Sequence, residues 1–298
     1  MKNKIKIAIL SPFRKEGEEI LKKNNFEIIY EKNIKKFIDK DIRGIILDIR
    51  EFNKKEFNKF KDLKIISRFG VGTNNINFDI LKKKKISLRI TKKSIGWSVA
   101  EHALSLILAC LKNINLLDKS TRKQKKENRL TYDLYGKNIF LIGYGRTGKS
   151  LSKILRKFDT NIFVYDPLIN KVPHFIKKVK LDFGIKNADV ISIHAPLNSF
   201  TKNLISKKEF SNMKKNSIII NTSRGGIINE KYLNLFLKKR KILAAGIDVY
   251  ENEPKLDSSL SKNKFAIFTP HVSSSSEECR RNMSIEAANN IVDYFIKY

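Results

Sequence analysis

This chain of 298 residues has little cysteine and proline, about half as much acid as base, and no long apolar run. Its two cysteines, Cys110 and Cys279, stand far apart and make no C-x-x-C pair or ligand cluster, so neither a redox motif nor a metal site is expected. Reduced thiols point to the cytoplasm. The longest strongly apolar stretch, Val99 to Leu111, is too short for a bilayer and holds Glu101 and His102, which favours a buried helix. The N-terminus passes from lysines straight into a strand-like alternation, with no export run and no small-residue cleavage site, and no membrane partner is expected. No Pro-rich or Gly/Ser-rich linker marks a domain junction, and no internal repeat is evident.

The shortage of acids, 30 against 61 lysines and arginines, leaves a formal charge of +31. Charge of that size raises the question of a nucleic-acid partner. The lysines are spread along the whole chain, however, and the local runs at Lys82–Lys85 and Arg122–Arg129 interleave no aromatics. A solvated surface is expected, and no nucleic-acid partner. With 41% hydrophobic residues the chain can fill the cores of two domains.

Apolar runs alternate with helical segments, the signature of parallel α/β structure. A first series comprises IKIAIL, FEIIY, GIILD, KIISRFG and ISLRI, with a helix around RKEGEEILKKNN. A second comprises NIFLIG, NIFVYD, DVISIHAP, SIIINTS, ILAAGIDVY and FAIFTPH. Between them a helix is predicted over Val99–Leu117, and a final one over roughly Glu277–Phe295, able to fold back onto the first lobe.

Ligands of open parallel sheets bind beyond the carboxyl ends of the strands, where helix N-termini present unpaired N–H groups. The second series ends there in Gly143, Asp166, His194, Arg224, Asp248 and His271, and KIISRFGVG ends in Gly70 and Gly72. Each has a plain structural reading alone; together they put polar chemistry on one sheet edge. The stretch LIGYGRTGKS fits two motifs. As G-x-G-x-x-G (Gly143, Gly145, Gly148) it is a dinucleotide turn; as G-x-x-x-x-G-K-S, with Lys149 and Ser150, it is a triphosphatase loop. Asp166 closes the next strand about 20 residues on, where the dinucleotide reading needs an acid for ribose hydroxyls. That favours NAD, and an acid there would repel the 2′-phosphate of NADP.

Reduction of a 2-keto acid requires a cation for the carboxylate and carbonyl, and a proton donor. Arg224 suits the first because its planar fork never loses its charge, and His271 suits the second. Glu253 would fix the imidazole tautomer. Here the chain resembles the D-isomer-specific 2-hydroxyacid dehydrogenase family, through RFGVGTNNIN, SVAEHAL, GKNIFLIGYGRTG, VYDP, HAPLNSFTKNLI, INTSRGGIINE, DVYENEP and TPH.

The resemblance implies an α/β fold of two doubly wound parallel-sheet domains, a Rossmann-type NAD domain (98–271) inserted into a flavodoxin-like substrate domain (1–97 and 272–298). It implies Arg224, Glu253 and His271 as the catalytic set. NAD would be held by Gly143, Gly145, Arg146, Thr147, Gly148, Asp166, His194, Pro196, Thr222, Ser223, Asp248 and Ser274. The substrate, a 2-hydroxy or 2-keto acid, would meet Arg68, Val71, Gly72, Arg224 and His271; Arg68 points to a phosphorylated one, D-3-phosphoglycerate. A homodimer is expected. The family usually has an acid at Asn74, an asparagine near Ile95, glycines at Ser273 and Ser274, and a tryptophan before Gly136 that Trp97 does not replace. With the final helix ending near Tyr298, no regulatory C-terminal domain is expected. Within the family the alternative is a glycerate/hydroxypyruvate or D-lactate type dehydrogenase; from other classes they are a non-catalytic NAD-sensing regulator and a triphosphatase using Lys149.

Overall fold

The structure is a computed structural model that describes residues 4–30, 41–73 and 75–296; Asn74 and Tyr298 lie outside these described residues. The chain forms two compact units, Met1–Ile95 with Ser275–Tyr298, and Gly96–Ser274.

The first unit is built on a parallel sheet of five strands: β1 (Lys6–Leu10), β2 (Glu27–Tyr30), β3 (Ile42–Leu47), β4 (Ile65–Arg68) and β5 (Ser87–Ile90). Their order, β2-β1-β3-β4-β5, is the flavodoxin-like one. Alternate side chains leave opposite faces of a strand, and the core divides accordingly. Ala8, Leu10, Ile45, Leu47 and Ile66 join a cluster with Phe52, Phe57 and Phe60. Ile7, Ile9, Ile46 and Ile65 join one with Met283, Ala287, Ala288 and Ile291 of the helix Glu277–Ile296. The final helix therefore covers one face of this sheet. Gly44 makes room for it, since a Cβ there would stand 2.8 Å from Ile7 and 3.2 Å from Ile291.

The second unit holds seven parallel strands: β6 (Asn138–Ile142), β7 (Asn161–Tyr165), β8 (Ile176–Lys178), β9 (Val190–Ile193), β10 (Ile218–Asn221), β11 (Ala244–Ile247) and β12 (Ala266–Phe268). The order β12-β11-β10-β9-β6-β7-β8 reverses direction between β6 and β9, the switch point of a Rossmann-type sheet. Ile139, Leu141, Ile218 and Ile220 face one core cluster, and Phe140, Ile142, Ile219 and Ile247 face the other. Sheets buried on both faces require such unbroken apolar runs, and each fully buried Ile or Leu contributes about 1.5–3 kcal/mol.

Two elements depart from the sequence reading. The helix expected over Val99–Leu117 is two helices, Gly96–Leu111 and Ile114–Arg122, bent by 60°. Asn113 breaks it by adopting φ 53°, which asparagine tolerates, and its side chain donates to the Leu130 carbonyl at 3.0 Å. Strand β8 was not anticipated, because IKK is a three-residue edge strand with two exposed lysines. No single helix among the described residues is long and apolar enough to cross a membrane.

Candidate active site

Beyond β6 the three glycines have three different causes. Gly143 has φ +93°, and a Cβ there would lie 2.7 Å from the backbone of His194 and Ala195 at the end of β9. A Cβ on Gly148 would stand 2.5 Å from the Gly143 carbonyl, so its absence lets the helix Arg146–Leu155 approach the strand. Gly145, the N-cap of that helix, has nothing within 4 Å of its Cβ position. Tight turn, ligand clearance and close helix packing are the needs of a pyrophosphate turn. Lys149 points outward across the Tyr144 ring, 5.9 Å from its centroid, and Ser150 packs near Gly96. The triphosphatase reading finds no support in these positions.

Asp166, closing β7, accepts the Tyr144 N–H at 2.8 Å through Oδ2 and the Leu168 N–H at 2.9 Å through Oδ1. It is a turn cap and also the acid that ties the glycine turn to the neighbouring strand. His194 ends β9 with Nε2 2.9 Å from Ser192 Oγ, and burial pushes its pKa down to about 4, leaving the ring neutral. Beside it, the exposed Pro196 lends its carbonyl to Thr201 Oγ1 at 2.6 Å.

After β10, Asn221 shapes the arginine turn: its Oδ1 accepts the Ser223 N–H at 3.0 Å and its Nδ2 donates to the Arg224 carbonyl at 2.9 Å. Ser223 Oγ reaches across to the Ala195 carbonyl. Arg224 Nη1 donates to the Ser223 carbonyl at 2.6 Å; burial pulls the guanidinium pKa below its usual range, opposed by the charge of Glu253. Thr222 Oγ1 is buried with no hydrogen-bond partner among the described residues. A buried hydroxyl left unpaired costs about 1–3 kcal/mol, and a ligand at this strand end would remove that cost. The open Gly145 and this orphan hydroxyl both fit a bound dinucleotide.

The turn that carries His271 is held by Asp248, which is fully buried at the end of β11. Its Oδ1 accepts the Thr269 hydroxyl at 2.5 Å and the Val272 N–H at 2.9 Å; its Oδ2 accepts the Ser273 N–H at 3.0 Å. His102 Nε2 lies 3.0 Å from Thr269 Oγ1 and 3.6 Å from Asp248 Oδ1. Ser273 is thus buried and fixed in this turn, with its carbonyl accepting from Ser98 Oγ at 2.8 Å, and Ser274 follows it, half-buried. His271 adopts φ 52°, and its Nδ1 lies 2.7 Å from Glu253 Oε2. Glu253 Oε1 in turn accepts the Tyr250 N–H at 3.2 Å. A carboxylate on Nδ1 leaves Nε2 free for proton exchange.

In the first unit, β4 ends at Arg68, which is 4% exposed. It is no surface arginine: its Nη1 donates to the carbonyls of Phe69 and, at 3.5 Å, Leu47. Gly70, at φ +130°, passes directly over this guanidinium, where a Cβ would meet Nη1 at 2.9 Å. Val71 is exposed and Gly72 half-exposed beyond it. Roles for Asn221, Thr269 and His102 were missed by sequence reasoning. Polar residues closing an apolar strand or immediately preceding a candidate catalytic turn were the available signal for the first two.

Residues 104–273 match the model of the D-isomer specific 2-hydroxyacid dehydrogenase NAD binding domain. A D-3-phosphoglycerate dehydrogenase of Archaeoglobus fulgidus is 30% identical over 97% of this chain, which spans only 57% of that protein's length. A hydroxypyruvate reductase of Thermotoga maritima is 36% identical over 78% of this chain and 77% of its own. Among solved structures, a glyoxylate reductase from Paecilomyes thermophila superposes with a TM-score of 0.87 at 25% identity, covering 100% of this chain and 97% of that one.

Proposed function

The chain belongs to the D-isomer-specific 2-hydroxyacid dehydrogenase family, and from that premise we propose that it interconverts a D-2-hydroxy acid and its 2-keto acid. The observation that carries this reading is the His271–Glu253 pair, 2.7 Å apart, at the sheet edge that also presents Arg224 and the glycine turn. NAD, when bound, supplies the hydride acceptor or donor. Gly143, Gly145 and Gly148, with the first-turn N–H groups of Arg146 and Thr147, hold its pyrophosphate. Asp166 takes the ribose hydroxyls, and His194, Pro196, Thr222, Ser223 and Ser274 complete the cofactor surface. Asp248 acts through the turn it holds.

Arg224 neutralises the substrate carboxylate and polarises the carbonyl. His271 gives or takes the proton at Nε2, and Glu253 keeps the ring in the required tautomer. Arg68 enters as the brace beneath the Gly70–Gly72 turn. D-3-phosphoglycerate is the favoured substrate, supported by the phosphoglycerate dehydrogenase relative that aligns along 97% of this chain. A glycerate or hydroxypyruvate type is the second reading, favoured by the inward bonding of Arg68, which leaves a substrate phosphate without its expected cation. A homodimer is part of the proposal; the exposed apolar side chains of Trp97, in the helix Gly96–Leu111, and of Leu130 and Tyr135, before Gly136, would supply its contact surface. Two free, buried thiols suit the cytoplasm.

The test is NADH oxidation with phosphohydroxypyruvate, hydroxypyruvate, glyoxylate and pyruvate. The highest kcat/KM is expected with phosphohydroxypyruvate; a higher value with hydroxypyruvate selects the second reading. No turnover with any of them while NAD still binds would replace the dehydrogenase by a regulatory NAD sensor. His271→Ala is expected to lose at least about 10³-fold in kcat with NAD affinity retained.

A further inference from the structure

On the outer side of the helix Arg146–Leu155 lies a hollow of about 970 Å³. Lys149, Lys153, Arg156 and Lys157 recur along one face of this helix and the turn that follows it, opposite the buried Leu151 and Leu155. Lys171, from the connection between β7 and β8, supplies a fifth cation from the facing wall, against a single acid, Asp159. None of these five cations has an ion-pair partner among the described residues. Most cations of the same unit are likewise without an ion pair among the described residues, Lys112, Arg122, Arg129, Lys208 and Lys214 being those that meet a carboxylate. What sets these five apart is that they line one concavity. Five like charges gathered around a concavity repel one another, and a multiply charged anion relieves that repulsion.

The floor decides which anion. Phe175 is covered by the Arg156 guanidinium at 4.8 Å, and the Tyr144 ring lies under Lys149. With Arg156 over the Phe175 ring and Tyr144 itself buried beneath Lys149, the hollow offers little aromatic surface for stacking a base. Its size is that of a small-molecule site. We propose that this hollow binds clustered phosphate groups, the chemistry shared by inorganic oligophosphate and the tail of a nucleoside triphosphate. The hollow adjoins the pyrophosphate turn through the Tyr144 ring, but neither Asp166 nor the glycines line it, so the two are distinguished by whether NAD displaces the anion. It does not depend on the dehydrogenase reading, and its test requires no turnover.

The test is calorimetric titration of the full chain with sodium tripolyphosphate, then ATP and AMP, at about 0.15 M salt, where surface charge is screened beyond roughly 8 Å. One site per chain is expected, weakened at least tenfold in Lys153→Glu/Arg156→Glu and less than twofold in Lys82→Glu/Lys83→Glu. Saturating NAD should leave it in place, and AMP should bind at least tenfold more weakly. Tighter binding of tripolyphosphate than ATP assigns inorganic oligophosphate; the reverse assigns the nucleotide. If the charge-reversal variant loses its circular-dichroism signal, Lys153→Gln/Arg156→Gln replaces it, with a loss of about fivefold expected. Equal losses in both charge-reversal variants, displacement by NAD, equal affinity for AMP, or displacement of tripolyphosphate by single-stranded RNA at lower concentration would each overturn the proposal.

Discussion

Two arginines stand at comparable points of the two sheets, each closing or following an apolar strand and each leading into a glycine turn, yet their surroundings differ. Arg68 is buried, bonded to main-chain carbonyls, and roofed by Gly70. Arg224 is only half-buried, makes one bond to the Ser223 carbonyl, and has the Glu253 carboxylate for a neighbour. A guanidinium that satisfies backbone carbonyls is a brace; one held beside a carboxylate at a sheet edge is available for a substrate anion. The same residue type at the same kind of strand end therefore carries two roles, separated by burial and by the groups that the guanidinium meets.

That comparison is open to direct test. Arg224→Gln should lower kcat/KM for the best keto acid about 10³-fold, in line with removal of a transition-state donor. Its melting temperature should stay within about 2 °C, because the site gives up no buried network. A loss below tenfold would put Arg224 among the braces. Arg68→Gln should behave in the opposite way. Taking a charged donor from buried carbonyls costs about 2–3 kcal/mol, which calorimetry would read as a melting temperature lower by roughly 4–10 °C. KM for phosphohydroxypyruvate should move by less than about threefold. A tenfold rise in KM with unchanged melting would make Arg68 a substrate ligand and break the contrast.

Those two residues mark the boundary of what the sequence could disclose. The fold class was legible because buried parallel strands must be unbroken apolar runs, and 11 of the 12 strands among the described residues are such runs or alternations. The glycine turn and the strand-end position of Asp166 were legible from spacing within one βαβ unit, whereas the His271–Glu253 pairing was expected from the chemistry of a proton donor and from the family resemblance, not from spacing. Strand β8 escaped because its register depends on pairing with β7, not on its own composition. The break at Asn113 depends on a bond to Leu130, far along the chain. The inward turn of Arg68 and the use of both Asp248 oxygens by the His271 turn are tertiary facts. Spacing carries no trace of them.

Within the glycine turn itself the same kind of contrast recurs. Gly148→Ala would force a Cβ to 2.5 Å from the Gly143 carbonyl, and overpacking of that sort costs about 1–3 kcal/mol. Gly145→Ala meets nothing within 4 Å, so its stability should change by less than about 0.5 kcal/mol. Its NAD affinity should nevertheless fall about tenfold, or about 1.4 kcal/mol, because the new methyl stands where the pyrophosphate is expected. Denaturant melts and NAD titration on the two variants separate the effects. Equal affinity losses accompanied by equal destabilisation would mean that both glycines serve packing alone.

The smallest effect distinguishes the two histidines of the sheet edge. His271 faces a carboxylate, whereas His194 faces only the Ser192 hydroxyl, and burial holds its pKa near 4 against an ordinary 6.5. Between those values the unfolded chain carries a proton on this ring that the folded chain excludes, so stability is complete above pH 6.5 and declines as the pH falls towards 4. Allowing for the partial exposure of the ring, the loss should be about 1–2 kcal/mol. His194→Gln keeps a polar side chain but cannot titrate. Urea unfolding at pH 7 and pH 4.5 should therefore show a shallower decline for the variant than for the natural chain, by that amount. Identical declines would mean that water reaches the His194 ring freely, and the strand end of β9 would then be more open than its packing against Gly143 implies.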